Sequence, residues 1–536
     1  MLITMALIPL LMKSAERLRF IDVPDARKVH LGNIPRVGGI AMVVGAVLPI
    51  IMWLMPQQEV GAILLGVAII VVFGVWDDRS NLDYRIKFIG QIAGVLILML
   101  YGGVVIESVP LVSNTGPLPS YLTYPLTFLF LLGITNAVNL SDGLDGLAGG
   151  TVILSIGTIA LLGYSADNVV VVVIAVALIG SILGFLRFNT HPAQIFMGDG
   201  GSQFLGFSVG VLAVLLTQKG TASLSPVLPL LILGLPILDT IMVMWQRIKG
   251  GRSPFAPDRN HIHHKLLELG FSHYEAVLLI YVVQAALVMS AYFLRHQSDA
   301  TLLVVFTTVC AGIIGFFRWA ALSGWRVSRG GGHGIGYKKL RKRIVWLRSE
   351  GYPLKFASGT MAVMIIAYLI LAVLTARTIT SDIGALAFAA FTLMAAAMVR
   401  GRNRPMTWMD QAGMYLLATL GIYLGQTSSD VMAHLHPWVE GLFLFLAVGV
   451  LVGFRYSKFM NFKLTTLDFL VIFAAFTIPN LPHVSIGEAS LGESVAKLII
   501  LFYAIELLML NMGRFIYILR ILMTTLMAAI VIKAAL

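Results

Sequence analysis

The sequence predicts an all-α fold: a polytopic integral membrane helical bundle. Three observations carry that expectation. Apolar residues make up 58% of the 536 residues and charged ones 12%, where a soluble chain needs roughly 25% charged residues to keep its surface wet. Mean hydropathy is +0.89. Apolar stretches approaching 20 residues, the length that crosses a hydrocarbon core about 30 Å thick, recur along the whole chain. Length alone would suggest three or four soluble domains, and the composition excludes them.

Taken in order, the stretches predict about eleven spans, at 1–12, 38–55, 60–76, 86–105, 121–138, 150–163, 168–187, 203–217, 225–245, 275–293 and 300–320. About seven more follow at 358–376, 382–399, 412–426, 438–453, 466–479, 496–512 and 515–532. The span at 1–12 is too short to cross, which predicts a true start upstream of Met1 or a partly re-entrant first helix. Met1–Met12 has no basic stretch before it and no small-residue cleavage site after it, so it does not read as a cleavable signal peptide. The single cysteine, Cys310, lies in an apolar run, which excludes an intrachain disulfide and a thiolate metal site.

The net charge of +12 would suggest nucleic acid in a soluble protein. Its placement gives it another meaning. Alternate loops 13–37, 77–87, 139–150, 187–202, 246–273 and 321–357 hold 24 Lys and Arg, against 2 in the intervening loops. That asymmetry places the basic loops in the cytoplasm and excludes a nucleic-acid partner. Three regions follow: a membrane domain over 1–320 that carries the chemistry, a basic cytoplasmic linker over 321–357 and a C-terminal helical membrane module over 358–536. In the linker, GGGHGIG at 330–336 reads as a flexible joint and KKLRKR at 338–343 as a basic amphipathic helix on the anionic inner leaflet. A nucleotide-binding glycine loop would need a preceding strand and another glycine spacing. The C-terminal module holds isolated acidic residues such as Asp468 and Glu506 and no clustered chemistry. The chain shows no convincing internal repeat.

Four polar clusters fall in loops assigned to the cytoplasmic face, where charge near a membrane needs a reason. Asp77 and Asp78 end a span, where the helix dipole disfavours anions; they read as a general base, a metal neighbour or a wet helix end paired with Arg79. The stretch 136–149, NAVNLSDGLDGLAG, supplies Asn136, Asn139, Asp142 and Asp145. If it is helical, 139, 142 and 145 share a face, and such oxygen donors suit Mg²⁺ or the edges of a base. Its spacing does not fit a calcium loop. Asp199 in FMGDGGS reads equally as a ligand or a tight turn. In 253–265, Arg259, His261, His263, His264 and Lys265 crowd together; they suit phosphate better than a transition metal, since the spacing is no zinc signature. Oxygen ligands for a hard cation beside donors for phosphate, at one membrane surface, are what phosphoryl transfer requires.

The ordered set DD at 77–78, NAVNLSDGLDGLAG at 136–149, FMGDGGS at 196–202 and DRNHIHH at 258–264, with DVPDARKVH and IPRVGG between Asp22 and Gly39, resembles the polyprenyl-phosphate N-acetylhexosamine-1-phosphate transferases over about residues 1–320. The resemblance implies a multi-pass enzyme of the bacterial inner membrane, facing the cytoplasm. Such an enzyme moves a sugar 1-phosphate from a UDP-N-acetylhexosamine to polyprenyl phosphate and releases UMP, with Mg²⁺ as cofactor and Mn²⁺ a candidate substitute. It leaves room for a homodimer. By position, it implies that Asp199 and Asn139 hold Mg²⁺, that Asp145 contacts uracil, and that Arg259, His261, His263 and His264 hold phosphate. Asp77, Asp78 and Asp142 are the implied catalytic carboxylates, Asp142 without a fixed role. Arg27 and Lys28 are candidates for drawing in the lipid phosphate. IPRVGG and DRNHIHH look more like the branch that transfers N-acetylglucosamine phosphate than the muramoyl-pentapeptide branch. Residues 321–536 extend beyond the usual family length. The expected reaction is a single in-line displacement. A carboxylate-relay transporter is the rival class, but such relays lie at mid-membrane depth, and these carboxylates gather at one interface.

Overall fold

The computed structural model describes residues 1–22, 33–80, 82–109, 117–219, 224–253, 260–327, 352–376, 379–399, 408–427, 430–456, 470, 485–486, 489–511 and 516–535. Their helices fall into two compact units. The first contains α1 (Leu2–Leu18), α2 (Gly38–Leu54), α3 (Gln58–Ser80), α4 (Tyr84–Leu100), α5 (Ser120–Ser141), α6 (Leu147–Ser165), α7 (Val169–Asn189) and α8 (Gly198–Gln218). It continues with α9 (Leu228–Ile232), α10 (Gly234–Lys249), α11 (Ile262–Glu268), α12 (His273–Phe293) and α13 (Asp299–Ser323). A short antiparallel pair, β1 (Ile21–Asp22) and β2 (Ile34–Pro35), joins α1 to α2. The expected first span ends at 12, whereas α1 runs on to Leu18.

Helix α8 is the hub. Every residue from Gly200 to Leu216 is buried, as expected of a helix that is apolar all round, and it packs against α2, α3, α5 and α6. Close approach at its start depends on glycine. A Cβ on Gly39 would lie 2.5 Å from the Gly201 Cα, and one on Gly74 would lie 2.4 Å from the Gly200 Cα. Three helices therefore meet backbone to backbone beside Asp199. In α13, by contrast, most of the apolar surface is exposed.

The span expected at 225–245 is broken between α9 and α10. Pro236 has no N–H to give the Ile232 carbonyl, and a proline ring clashes with the carbonyl four residues back. The freed Ile232 oxygen accepts instead from Gln284 Nε2 and Ser155 Oγ, each at 2.7 Å. A backbone group without water must find such partners.

Nine helices among the described residues are long and apolar enough to cross a membrane. Exposed aromatic side chains mark both ends of the first unit: Trp53, Tyr101, Tyr121 and Tyr164 at one, Trp76, Trp245 and Trp319 at the other. Two such belts fit the two faces of a bilayer. The motif-bearing helix ends all lie at the second belt.

The second unit contains α14 (Tyr352–Thr375), α15 (Ser381–Val399), α16 (Trp408–Thr427), α17 (Asp430–Tyr456), α18 (Leu491–Asn511) and α19 (Ile516–Ala535), with the pair β3 (Ser485–Ile486) and β4 (Ala489–Ser490). Its core includes Leu369, Met394, Leu417, Leu446, Leu508 and Met523. Arg520 Nη2 donates to Asp410 Oδ2 at 2.7 Å, and both side chains are buried. The expectation that this module holds no clustered chemistry is corrected here. Packing of α17 on α18 joins Lys497 to Glu440 at 2.5 Å and to Glu493, with His436 at 3.5 Å from Glu493. Glu493–Lys497 and His436–Glu440 are i,i+4 pairs on two separate helices, so spacing along the chain did not bring the two pairs together. The expected span at 466–479, Asp468 and both linker motifs lie outside the described residues, apart from Leu470.

Candidate active site

The site begins where α3 ends against the start of α8. Helix α8 has no side-chain cap of its own. Asp78 supplies one from α3: its Oδ1 accepts from the Asp199 N–H at 2.8 Å and its Oδ2 from the Gly200 N–H at 3.1 Å. The positive end of α8 thus offsets the unfavourable dipole at the end of α3. Gly198 turns the chain into α8 at φ 70°, and a Cβ there would strike the Asp78 carboxylate at 2.4 Å.

Asp77 points to a different partner. Its Oδ1 accepts from the Leu82 N–H at 2.6 Å, and its Oδ2 lies 2.5 Å from Lys87 Nζ. Lys87, on α4, also donates to Asp199 Oδ2 at 2.8 Å. One ammonium therefore joins two of the motifs. Asn139 Nδ2 donates to Ser202 Oγ at 2.7 Å, so its carbonyl oxygen is the atom it can offer a cation.

Residues 139, 142 and 145 do not share a helical face. Helix α5 stops at Ser141 and Asp142 is its C-cap; Gly146, at φ 79°, precedes α6. The three nevertheless line one cavity, because the turn brings them there. Burial, then the charges of Asp199 and Asp145, push the Asp142 carboxyl up to about 7, while Arg36 acts in the opposite direction. For Asp145, burial favours a rise, but the His191 hydrogen bond, the His273 charge and the Ala193 N–H outweigh it and hold the group below the usual carboxylate range. The His191 Nδ1 contact is 2.6 Å and the Ala193 contact 3.1 Å. His273 stacks on His191 at 4.1 Å between ring centroids.

Of the basic segment, Arg259 lies outside the described residues, as do Arg27 and Lys28. His261 Nδ1 is 2.7 Å from Asp239 Oδ2, and the Ile262 N–H donates to Asp239 Oδ1 at 2.7 Å. His263 is buried against the turn, so close that a Cβ on Gly143 would lie 2.2 Å from its Nε2. Burial, then the charge of His264, push His263 down to about 3. The three rings follow one another at 5.7 and 4.2 Å.

These elements enclose a cavity of about 700 Å³. Its wall includes Asp78, Asn139, Asp142, Asp145, Asp199 and His264, while Asp77, His261 and His263 stand behind it. Several participants escaped the sequence reading. Lys87 carried a signal, a cation inside an apolar stretch. Arg36 stands in the IPRVGG motif without a role assigned to it, and Asp239, His191 and His273 carried no signal until the fold brought them to their partners.

Residues 60–217 match the model of glycosyl transferase family 4. The chain is 37% identical over 324 residues to a probable undecaprenyl-phosphate N-acetylglucosaminyl 1-phosphate transferase of Bacillus subtilis, covering 59% of this chain and 90% of that protein. The chain belongs to this family. The glycosyl transferase is also 31% identical over 334 residues to the Escherichia coli K12 undecaprenyl-phosphate alpha-N-acetylglucosaminyl 1-phosphate transferase, covering 59% and 88%. With the Mycobacterium leprae decaprenyl-phosphate N-acetylglucosaminephosphotransferase it shares 35% over 298 residues, covering 50% and 75%. The stretch matched in this glycosyl transferase contains Asp77, Asp78, Asn139, Asp142, Asp145 and Asp199.

Proposed function

We propose that this enzyme transfers N-acetylglucosamine 1-phosphate from UDP-N-acetylglucosamine to a polyprenyl phosphate. Undecaprenyl phosphate is the proposed acceptor and UMP is released. The site faces the cytoplasm from a bacterial inner membrane, at the first membrane step of envelope polysaccharide synthesis. The observation that carries this reading is the gathering of carboxylates from three separate motifs on one cavity wall at an aromatic belt, in a chain whose relatives bear the names given above.

The donor set fits Mg²⁺: carboxylate and amide oxygens of Asp199 and Asn139, no sulfur, and an excess of negative charge nearby. When bound, the ion neutralises diphosphate charge. The protein's residues do the rest. Asp145 orients the uracil, and His264 and Arg259 hold the diphosphate, with His261 and His263 supporting them. Lys87 keeps Asp77 and Asp199 in register. Arg27 and Lys28 draw in the lipid anion. A lipid phosphate oxygen attacks the β-phosphorus in line and forms a new P–O bond. The bond from that phosphorus to the bridging oxygen breaks, and UMP leaves with the electron pair. Asp77 or Asp78 takes the proton of an acceptor that arrives protonated.

The test is purified protein with undecaprenyl phosphate, Mg²⁺ and a panel of radiolabelled UDP-sugars that includes the muramoyl-pentapeptide. UMP together with labelled lipid from UDP-N-acetylglucosamine supports the reading. Label on the muramoyl product instead reassigns the sugar. Label trapped on protein without acceptor replaces the direct attack by a covalent step.

A further inference from the structure

We infer that Arg36, gripped by Asp22, is a fixed cation that joins His264 and Arg259 in holding the diphosphate of the nucleotide-sugar donor; this rests on the transfer reading above. Among the described residues, the cavity wall is short of positive charge. Its described wall holds the carboxylates of Asp22, Asp78, Asp142, Asp145 and Asp199, three titratable histidines and one permanent cation, Arg36. A donor diphosphate adds further negative charge to that space.

Arg36 is built in by the backbone. The β1–β2 pair sets Asp22 opposite Ile34, and the Arg36 N–H donates to the Phe20 carbonyl at 2.9 Å. The flanking residues are stitched to the motif that carries Asp199. Phe196 N–H donates to Pro35 O at 2.8 Å, Gly38 N–H to Phe196 O at 2.9 Å and Gly39 N–H to Met197 O at 2.9 Å. The guanidinium is therefore fixed relative to Asp199.

One guanidinium nitrogen, Nη2, donates to Asp22, whose side chain is only 7% exposed. Among the described residues Asp22 is the sole hydrogen-bond partner of that side chain, which is 26% exposed at the cavity. A guanidinium carries five donors in a planar fork that matches phosphate oxygens, so donors remain for a ligand. Its charge reaches Asp142, on the turn that also holds Asp145. The stitched segment 196–197 begins three residues after Ala193, which with His191 holds Asp145. Arg36 thus shares its wall with the base-binding end of the cavity. The Asp77–Lys87 pair lies off that wall. Asp78 shares the wall with Arg36 and feels its charge, so separate KM values for donor and lipid acceptor are what distinguish the two phosphates.

The test uses the full-length protein in detergent with both substrates varied. Arg36→Gln is expected to raise the KM for UDP-N-acetylglucosamine about 10- to 100-fold, the range of a lost hydrogen bond to a charged group, with the lipid-phosphate KM unchanged. Arg36→Lys, which keeps the charge and loses the fork, falls between. Asp22→Asn raises the donor KM less than Arg36→Gln does. Inhibition by UMP weakens in Arg36→Gln, while inhibition by uridine does not. A rise confined to the lipid KM, or equal loss of UMP and uridine inhibition, overturns the inference. Should Arg36→Gln not fold, Arg36→Lys decides, and a donor KM equal to wild type overturns it. A wild-type protein that makes no UMP from any UDP-sugar defeats the transfer reading itself, whereas an active wild type beside an unaltered Arg36→Lys defeats Arg36 alone.

Discussion

Lys87 shows how one side chain sets two others. It touches both Asp77 and Asp199, so Lys87→Met leaves two carboxylates facing each other without a cation. Hydrogen bonds to charged groups contribute about 1.5–3 kcal/mol, and kcat/KM should fall about 100-fold in a UMP-release assay. Asp199→Ala should abolish turnover, and retained Mg²⁺-dependent activity would overturn the proposed metal role of Asp199. His263 gives a prediction of a different kind. Held near 3 when folded and near 6.5 when unfolded, it binds more protons in the unfolded chain between those values. Stability contributed by the neutral ring is therefore present above about pH 6.5 and is lost as pH falls toward 3, by about 1.4 kcal/mol per pH unit. Thermal midpoints in detergent should show that slope between pH 4.5 and 6 and level off above 6.5, and His263→Leu should flatten it. The motif carboxylates were legible because each stands out in its own stretch. Asp239, His191 and His273 were not, because each gains its meaning from a partner at least 22 positions away.

At the scale of elements, the spans were legible for a local reason: length and apolarity are properties of a short window. The break between α9 and α10 was not. A hydropathy window averages over Pro236, and what makes the break tolerable is Gln284, on α12. Gln284→Leu removes one donor from the buried Ile232 oxygen and leaves Ser155 to serve it alone. The expected loss is about 1–3 kcal/mol, read as a lower unfolding midpoint. The helical reading of 139–145 failed for a related reason: Gly143 and Gly146 admit a turn where the carboxylate spacing suggested a continued helix. Gly74→Ala tests the junction of α3 and α8. With backbone 2.4 Å from the new Cβ, neither helix can yield by a side-chain rotation, and overpacking of this kind costs about 1–3 kcal/mol. Activity should fall further than stability does, since the shift moves Asp78 and Asp199 together.

At the scale of the whole molecule, the two units place charge differently. The first concentrates it at one end, around a cavity. The second buries Arg520 against Asp410 and gathers Lys497, Glu440, Glu493 and His436 from α17 and α18. Removing one member of a buried pair costs about 3–5 kcal/mol, whereas replacing both with apolar residues is often neutral. Arg520→Met should expose α14–α19 to limited proteolysis, and Asp410→Leu with Arg520→Met should restore resistance. The junctions Gly39–Gly201 and Gly74–Gly200 bear on the history of such a molecule. Hydrogen is the smallest substituent a residue can carry, so Gly39, Gly74 and Gly201 cannot change by a small step without forcing backbone apart. Stepwise change is sterically closed at those three positions, whereas side chains on the lipid-facing surface meet no such wall.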